Sequence, residues 1–332
     1  MSRRNERSPA GEVALKYCRT NPELPTNTLA RLMFEENKKL FRDFAQASKM
    51  VRYYRGESGT KNRSNAKETA TTTKDQSEIQ IPKGLRQGYS PIIVPPCKAL
   101  LLSDLHVPWH DEKAIELAVG FGLEQGCNTL YLNGDVCDFY SISPFDADPR
   151  NRDLLKEVET VKIILHEFSQ KFDNLYFKSG NHEDWWSKHL YRRAPDIVEL
   201  GVFDLEKVLC LEEMGYTYVK SKQWSQMASL TVLHGHEIKG YSPVNPARGI
   251  FLRLNQTAVV GHYHRSSHHS DNQAISKKSI SCWSVGCLFD LSPEYDPLNK
   301  WNLGFAIIEH DGEEFDLSNF KIDYQTHKIW GL

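Results

Sequence analysis

Apolar positions along this chain change their period several times, and each change predicts a different kind of structure. Near the N-terminus Leu29, Leu32 and Met33 share one helix face, with Thr26 to Thr28 as capping residues ahead of them. After Asp43, the residues Phe44, Ala47, Val51 and Tyr54 repeat the helical spacing, while Lys49, Arg52 and Arg55 fall on another face beside Tyr53. Two short helices follow from this pattern, the second of them basic. That arrangement is compatible with a helix-turn-helix, and equally with a small bundle whose charged face is solvated.

Residues 57–80 break the pattern. They hold no aromatic residue and only Ile79 as a large aliphatic, too little apolar surface to offset the entropy of ordering them. A flexible linker is expected there, extended by Pro- and Gly-punctuated chain to Pro95-Pro96. From Cys97 onward short apolar runs alternate with helical stretches. Ala99–Ser103, Thr129–Asn133 and Leu175–Lys178 predict buried strands, with helices near Glu112–Gln125 and over Leu154, Val158, Val161, Leu165 and Phe168. Later strands are expected at Tyr216–Lys220, Ser229–Leu233, Ala258–Val260, Ser279–Val285 and Gly304–Glu309. Asp311-Gly312 gives a hairpin signal before Glu314–Leu317. Early strand–helix alternation followed by strands without long helices predicts an α/β sandwich, two packed sheets flanked by helices. The expected organisation is a helical head over residues 1–56, a linker over 57–96 and a catalytic-sized domain over 97–332.

Charge separates these regions further. Residues 1–56 hold 12 Lys/Arg against 6 Asp/Glu, and the remainder holds 29 against 37. A basic head on an acidic body places any nucleic-acid contact at the head, with Lys49, Arg52 and Arg55 as the candidate phosphate contacts. No apolar run is long enough for a transmembrane helix, and the N-terminus lacks the apolar stretch of a secretory signal. Seven scattered cysteines without a Cys-x-x-Cys pair fit reduced thiols. A cytoplasmic protein without a membrane partner is therefore expected.

Five polar clusters each follow an apolar strand-like run: Asp104-Leu105-His106, Gly134-Asp135-Val136-Cys137-Asp138, Gly180-Asn181-His182-Glu183, His234-Gly235-His236 and Gly261-His262-Tyr263-His264. Strand ends are where ligand sites assemble in open α/β sheets, so residues far apart in sequence can converge. Carboxylates, imidazoles and an amide oxygen form a mixed O/N donor set suited to borderline divalent metals. One ion needs three or four ligands, and this set offers seven or more. A pair of ions is the economical reading, and such a pair can clamp a phosphoryl group and activate water.

These residues resemble the calcineurin-like metallophosphoesterase superfamily over roughly Lys98 to His264. The resemblance implies that Asp104, His106 and His264 bind one divalent ion, that Asp135 bridges to a second, and that Asn181, His234 and His262 complete the second site. Mn is the metal expected first, with Fe, Zn, Co or Ni compatible. It further implies that His182 protonates the leaving oxygen and that Asp138 orients His182 through its other ring nitrogen. His236 is expected behind the ligands or facing the substrate. Protein phosphatases of the superfamily continue their second motif as Gly-Asp-x-x-Asp-Arg-Gly, whereas this chain has Phe139-Tyr140 after Asp138. The expected substrate is therefore a phosphoester of another class, with a nucleic-acid phosphodiesterase (nuclease) favoured. A small phosphomonoester or cyclic nucleotide is the alternative, and a catalytically silent DNA-binding or scaffold protein the contrasting class. A loose similarity to phage-borne members accompanies the basic head. Oligomeric state is not legible.

Overall fold

The computed structural model describes residues 7–58, 82–84, 88–146, 148–240, 244–293 and 296–331. The chain divides into two compact units, Met1–Arg86 and Gln87–Leu332.

Among the described residues of the first unit three α-helices form: α1 (Pro9–Thr20), α2 (Thr26–Glu36) and α3 (Phe44–Tyr54). Ala14, Leu29, Ala30, Met33, Phe41, Ala47 and Val51 make their shared core. Leu32, expected on the buried face of α2, is exposed. Ser8 caps α1 and Asp43 caps α3 through backbone N–H groups, but α2 begins after Pro25 with no side-chain cap. Residues 37–43 separate α2 from α3, with a 3-10 turn over Lys38–Leu40, a longer connection than the three or four residues of a helix-turn-helix. Most of the expected linker lies outside the described residues.

The second unit is a sandwich of two mixed sheets. Its strands are β1 (Ile92–Ile93), β2 (Cys97–Leu102), β3 (Thr129–Asn133), β4 (Asn174–Lys178), β5 (Tyr216–Val219), β6 (Ser225–Met227) and β7 (Leu230–Leu233). There follow β8 (Ala258–Val260), β9 (Ser267–Asn272), β10 (Ser279–Ser284), β11 (Leu303–His310), β12 (Phe315–Ile322) and β13 (Ile329–Gly331). One sheet runs β13-β12-β11-β2-β3-β4-β5, the other β1-β6-β7-β8-β10-β9. Within the first, β2 to β5 are parallel; within the second, β7, β8 and β10 are parallel.

The strand period of two sorts side chains between layers. Ala99 and Leu101 of β2 point between the sheets, where Tyr131, Tyr176 and Val219 meet Met227, Leu230, Val232 and Val259. Leu100 and Leu102 point outward, where Ala114, Ile115 and Ala118 of helix α4 (Glu112–Glu124) cover them with Val161, Leu165 and Phe168 of α5 (Leu154–Ser169). The outer face of the second sheet is covered by a further helix, Pro246–Leu254, through Ala247 and Ile250. No helix among the described residues is long and apolar enough to cross a membrane.

The expected linker end is corrected by β1. Ile92 and Ile93 pair in parallel with Ser225 and Gln226, and Val94 is buried between the sheets. Ile92 is half-buried and Val94 buried, while Ile93 between them is exposed; burial of the two favours pairing over solvated linker, so the folded unit begins before Cys97.

Leu101 is fully buried at the centre of this interface. Leu101→Ala should lower the unit's unfolding free energy by about 2–5 kcal/mol, read by denaturant unfolding of the full chain. A loss under about 1 kcal/mol would contradict a core at that position.

Candidate metal centre

All five polar clusters lie at carboxyl ends of parallel strands. Asp104 follows β2, Asp135 follows β3 and Asn181 follows β4 in one sheet, while His234 follows β7 and His262 follows β8 in the other. Turning the chain beneath a shared point requires unusual backbone. Asp104 (φ 56°), His106 (47°), Asp135 (50°), His262 (65°) and His264 (52°) all adopt left-handed conformations. Each costs an L-residue roughly 1–2 kcal/mol, a strain that persists only where surrounding contacts over-determine it. Glycine is required at Gly134, where any Cβ would collide with the His234 ring, and at Gly180, where it would collide with the Asp135 carboxylate.

Two buried charged residues hold the loops. Glu183, in the first turn of helix α6 (Asn181–Arg193), accepts N–H bonds from Asp135 (2.9 Å), Cys137 (2.9 Å) and Gly180 (2.7 Å). Burial, and then the Asp135 charge, push its carboxyl up to about 7. Lys178, fully buried at the end of β4, pairs with Glu237 at 2.9 Å and donates to the carbonyls of Ser179 (2.8 Å) and Ser221 (3.0 Å). It thereby ties down the loop that carries His234 and His236. Sequence reading left both anchors without a role, although the third position of a helix after a glycine N-cap is where Glu completes a capping box.

Among the described residues the donor atoms form three clusters; His106, Asp138 and His182 make one, and the other two share Asp135. Those of Asp104, His106, Asp135 and His264 all lie within 4.8 Å of one another, as do those of Asp135, His234 and His262. Asp104 Oδ1 is 3.2 Å from His264 Nε2, and Asp135 Oδ2 is 3.1 Å from His234 Nε2. Asn181 Oδ1 lies 3.3 Å from the same His234 nitrogen. The seven residues expected as ligands are thus brought to two adjoining clusters, with Asp135 common to both.

Second contacts fix which ring nitrogen faces inward. His234 Nδ1 donates to the Asn133 carbonyl at 2.6 Å and His106 Nδ1 lies 3.0 Å from Asp138 Oδ1, leaving each Nε2 toward the centre. His106 Nε2 then lies 3.3 Å from His264 Nε2. Two imidazole nitrogens at that separation attract only when a proton or cation lies between them. Burial, and then the charge of His234, hold His262 down to about 3; burial, and then His182, lower His106. Both rings therefore keep a free lone pair. Burial alone would raise Asp135, but His234, His182 and His106 hold it well below the usual carboxylate range. Burial alone would lower His234, but the Asp135 carboxylate pushes it up to about 10, so an ion held there would displace its Nε2 proton. Buried carboxylates beside imidazoles are the donor set that divalent metal ions take, so the residues present fit such ions.

Asp138 meets His182 more closely through its backbone than through its carboxylate. Its carboxylate is engaged by His106, and it is the Asp138 backbone carbonyl that accepts from His182 Nδ1, at 2.6 Å. Asp138 Oδ1 stands 3.6 Å from that nitrogen. The outcome for His182 is similar: its Nδ1 is occupied and its Nε2 points inward, 4.0 Å from Asp135 Oδ2. Its backbone N–H donates to Asp135 Oδ1 at 2.9 Å.

The remaining candidates are less central. His236 sits in the wall, 3.7 Å from Asp184 and 3.5 Å from the Ser221 hydroxyl. Trp185 lies against His182 with ring centroids 3.9 Å apart, whereas Trp186 packs on Phe139 and donates to the Phe203 carbonyl. Phe289 and Trp301 pack against the His264 ring, and no motif announces them. In the helical head Lys49 and Arg52 are exposed. Arg55 instead donates to the Thr26 hydroxyl and to the carbonyls of Asn21 and Pro22, bracing the α1–α2 connection.

No family model matches the chain. Among characterised sequences it is similar to the Gene 54 protein of Mycobacterium phage L5, 21% identical over 233 residues, spanning 65% of this chain and 90% of that protein. Similar solved structures include Vacuolar Protein Sorting 29 from Cryptosporidium parvum, with 14% identity and a TM-score of 0.38 over 72% of this chain and 98% of that one. They also include Yfce, a phosphoesterase from E. coli, with 15% identity and a TM-score of 0.36 over 71% and 98%. The resemblance to calcineurin-like metallophosphoesterases is carried by the five motifs and the two-sheet sandwich that gathers them.

Divalent metal should stabilise the folded chain by mass action. Titration with Mn2+ should raise the thermal unfolding midpoint of the wild type and leave Asp135→Asn nearly unmoved, because that side chain serves both clusters. Asp138→Asn should keep the response but shift it to about 10–100-fold higher metal concentration, the usual effect of losing a ligand's hydrogen-bond partner. An unaltered response in Asp135→Asn would contradict the shared-carboxylate geometry.

Proposed function

We propose that the chain is a metal-dependent phosphoester hydrolase, and more specifically a phosphodiesterase acting on nucleic acid. The observation that carries this reading is the sharing of Asp135 by two donor clusters, with His182 Nε2 beside them and outside both. Asp104, His106 and His264 with Asp135 would hold one divalent ion, and Asp135, Asn181, His234 and His262 the other. Mn is favoured, with Fe, Zn, Co or Ni chemically admissible. When bound, such a pair supplies Lewis acidity toward a phosphoryl oxygen and a lowered pKa for water.

The chain's own residues do the rest. His182 is held by the Asp138 carbonyl at Nδ1 and by its backbone bond to Asp135, so its ring has one orientation. From there Nε2 delivers a proton to the leaving alkoxide, which otherwise departs as a strong base. Trp185 covers the other face of the ring and limits the approach of water. Preference for a diester follows from the residues after Asp138. Phe139 is buried and Tyr140 half-buried there, so no arginine stands at that point to balance a monoester dianion. Exposed Lys49 and Arg52 in the head would add phosphate contacts to a nucleic-acid substrate.

His182→Ala should leave metal-induced stabilisation in place and lower kcat about 10²–10⁴-fold on an alkyl diester. The loss should be smaller on bis-p-nitrophenyl phosphate, whose leaving group needs little protonation. Equal losses on the two esters would remove the proton-donor role.

A further inference from the structure

Helix α6 opens on Asn181-His182 and then turns a basic stripe outward. Trp185, Lys188, His189, Arg192 and Arg193 recur at steps of three and four, the spacing that places side chains on one helix face. They form one wall of a pocket of about 490 Å³, with residues 142–144 opposite. A face at this spacing ordinarily carries apolar residues toward a core; here it carries cations beside a cavity. Arg192 and Arg193 are exposed, and neither has an ion-pair or hydrogen-bond partner among the described residues. Lys188 has Asp184 as its one ion-pair partner among the described residues, one turn back at 3.7 Å. Unpaired guanidinium groups on adjacent positions repel each other and gain most from an anion that spans both.

The stripe begins at the reaction centre. Trp185 lines the pocket and also lies against His182, with ring centroids 3.9 Å apart and planes tilted by 34°. From His182 to Arg193 the helix advances about 16 Å at 1.5 Å per residue. That length accommodates more than one phosphate beyond the scissile one. A broad aromatic face at the inner end and cations at the outer end are the two elements of a single-strand platform: stacking for a base and charge for the backbone. Paired bases in a duplex do not offer their faces, so an unpaired strand fits better than a double helix.

We propose that this groove holds a single-stranded nucleic-acid segment that leads away from the metal centre. Trp185 stacks on the base nearest the scissile bond, and Lys188, Arg192 and Arg193 neutralise the phosphates that follow. The assignment of a scissile bond rests on the hydrolase reading above, whereas the binding itself does not.

Binding is therefore the direct test. Anisotropy of a fluorescein-labelled oligothymidylate with the full-length protein, across a salt series, gives affinity and salt slope together. Arg192→Ala/Arg193→Ala should make the slope of log K against log salt shallower by about 1.4, from two contacts at about 0.7 each for a single strand, and weaken low-salt binding about tenfold. Arg192→Lys/Arg193→Lys should keep the slope, since charge is retained, which also guards against misfolding as the cause. Trp185→Ala should weaken binding about 5- to 150-fold with the slope little changed, the effect of a lost stack. Oligouridylate in parallel reads any preference between DNA and RNA, and inorganic polyphosphate serves as competitor. An unchanged slope in the double alanine variant overturns the proposal. So does polyphosphate binding as tightly as the strand together with indifference to Trp185→Ala, which would make the groove a general anion patch. Turnover of bis-p-nitrophenyl phosphate in the same preparations separates the two readings. An active enzyme with an unchanged slope removes the groove alone, and a changed slope in a protein inert on every ester removes the hydrolase alone.

Discussion

The carboxylate of Asp135 is the constraint on which the rest of the site depends. It is almost fully buried, on a residue whose backbone is left-handed, and it lies 3.1 Å from His234 while accepting the His182 N–H at 2.9 Å. An anion in such a position is costly unless it is paired and hydrogen-bonded. Both sheets contribute to satisfying it. His234 comes from the end of β7 and His182 from the turn after β4, while the Asp135 N–H is itself held by Glu183. The sandwich can be viewed as the frame that brings these strand ends to one buried negative charge.

That frame is stiffened by two further buried titratable side chains. Glu183 links the turns after β3 and β4 through three N–H bonds, and Lys178 links the end of β4 to the loop after β7 through Glu237. Removing one partner of such a buried pair generally costs about 3–5 kcal/mol, and here it would also release a loop that carries candidate ligands. Left-handed turns at five of the candidate ligand positions are tolerable only because these anchors and the opposing sheet leave the loops no relaxed alternative. Strain, buried charge and ligand position thus belong to one arrangement.

The legible parts of the sequence were local. Each of the five motifs is a short apolar run followed by polar residues at a turn, so period and residue type alone located the strand ends, and Ala258–Val260 and Thr129–Asn133 match their strands end to end. Long-range pairing was not legible. Strand β1 was read as linker because two residues carry no period, and it exists only through its partner β6. Helix α6 was missed because its regular face is basic instead of apolar, and β9 because its sequence, SHHSDN, is polar and mostly exposed. For Asp138 the motif implied a pair with His182, but side chain and backbone of one residue can serve different rings, and only coordinates separate them. Arg55 looked like a phosphate contact by charge, yet three oxygen acceptors of its own domain occupy it.

The proposed hydrolase reading rests on a carboxylate common to two donor clusters and on His182 Nε2, 4.0 Å from it. The most direct measurement is turnover of bis-p-nitrophenyl phosphate by metal-free full-length protein as Mn2+ is added in known molar ratio. If Asp135 joins two ions in one hydrolytic centre, activity should rise with upward curvature and level off near two equivalents. Saturation at a single equivalent, or no turnover at any ratio, would contradict the account.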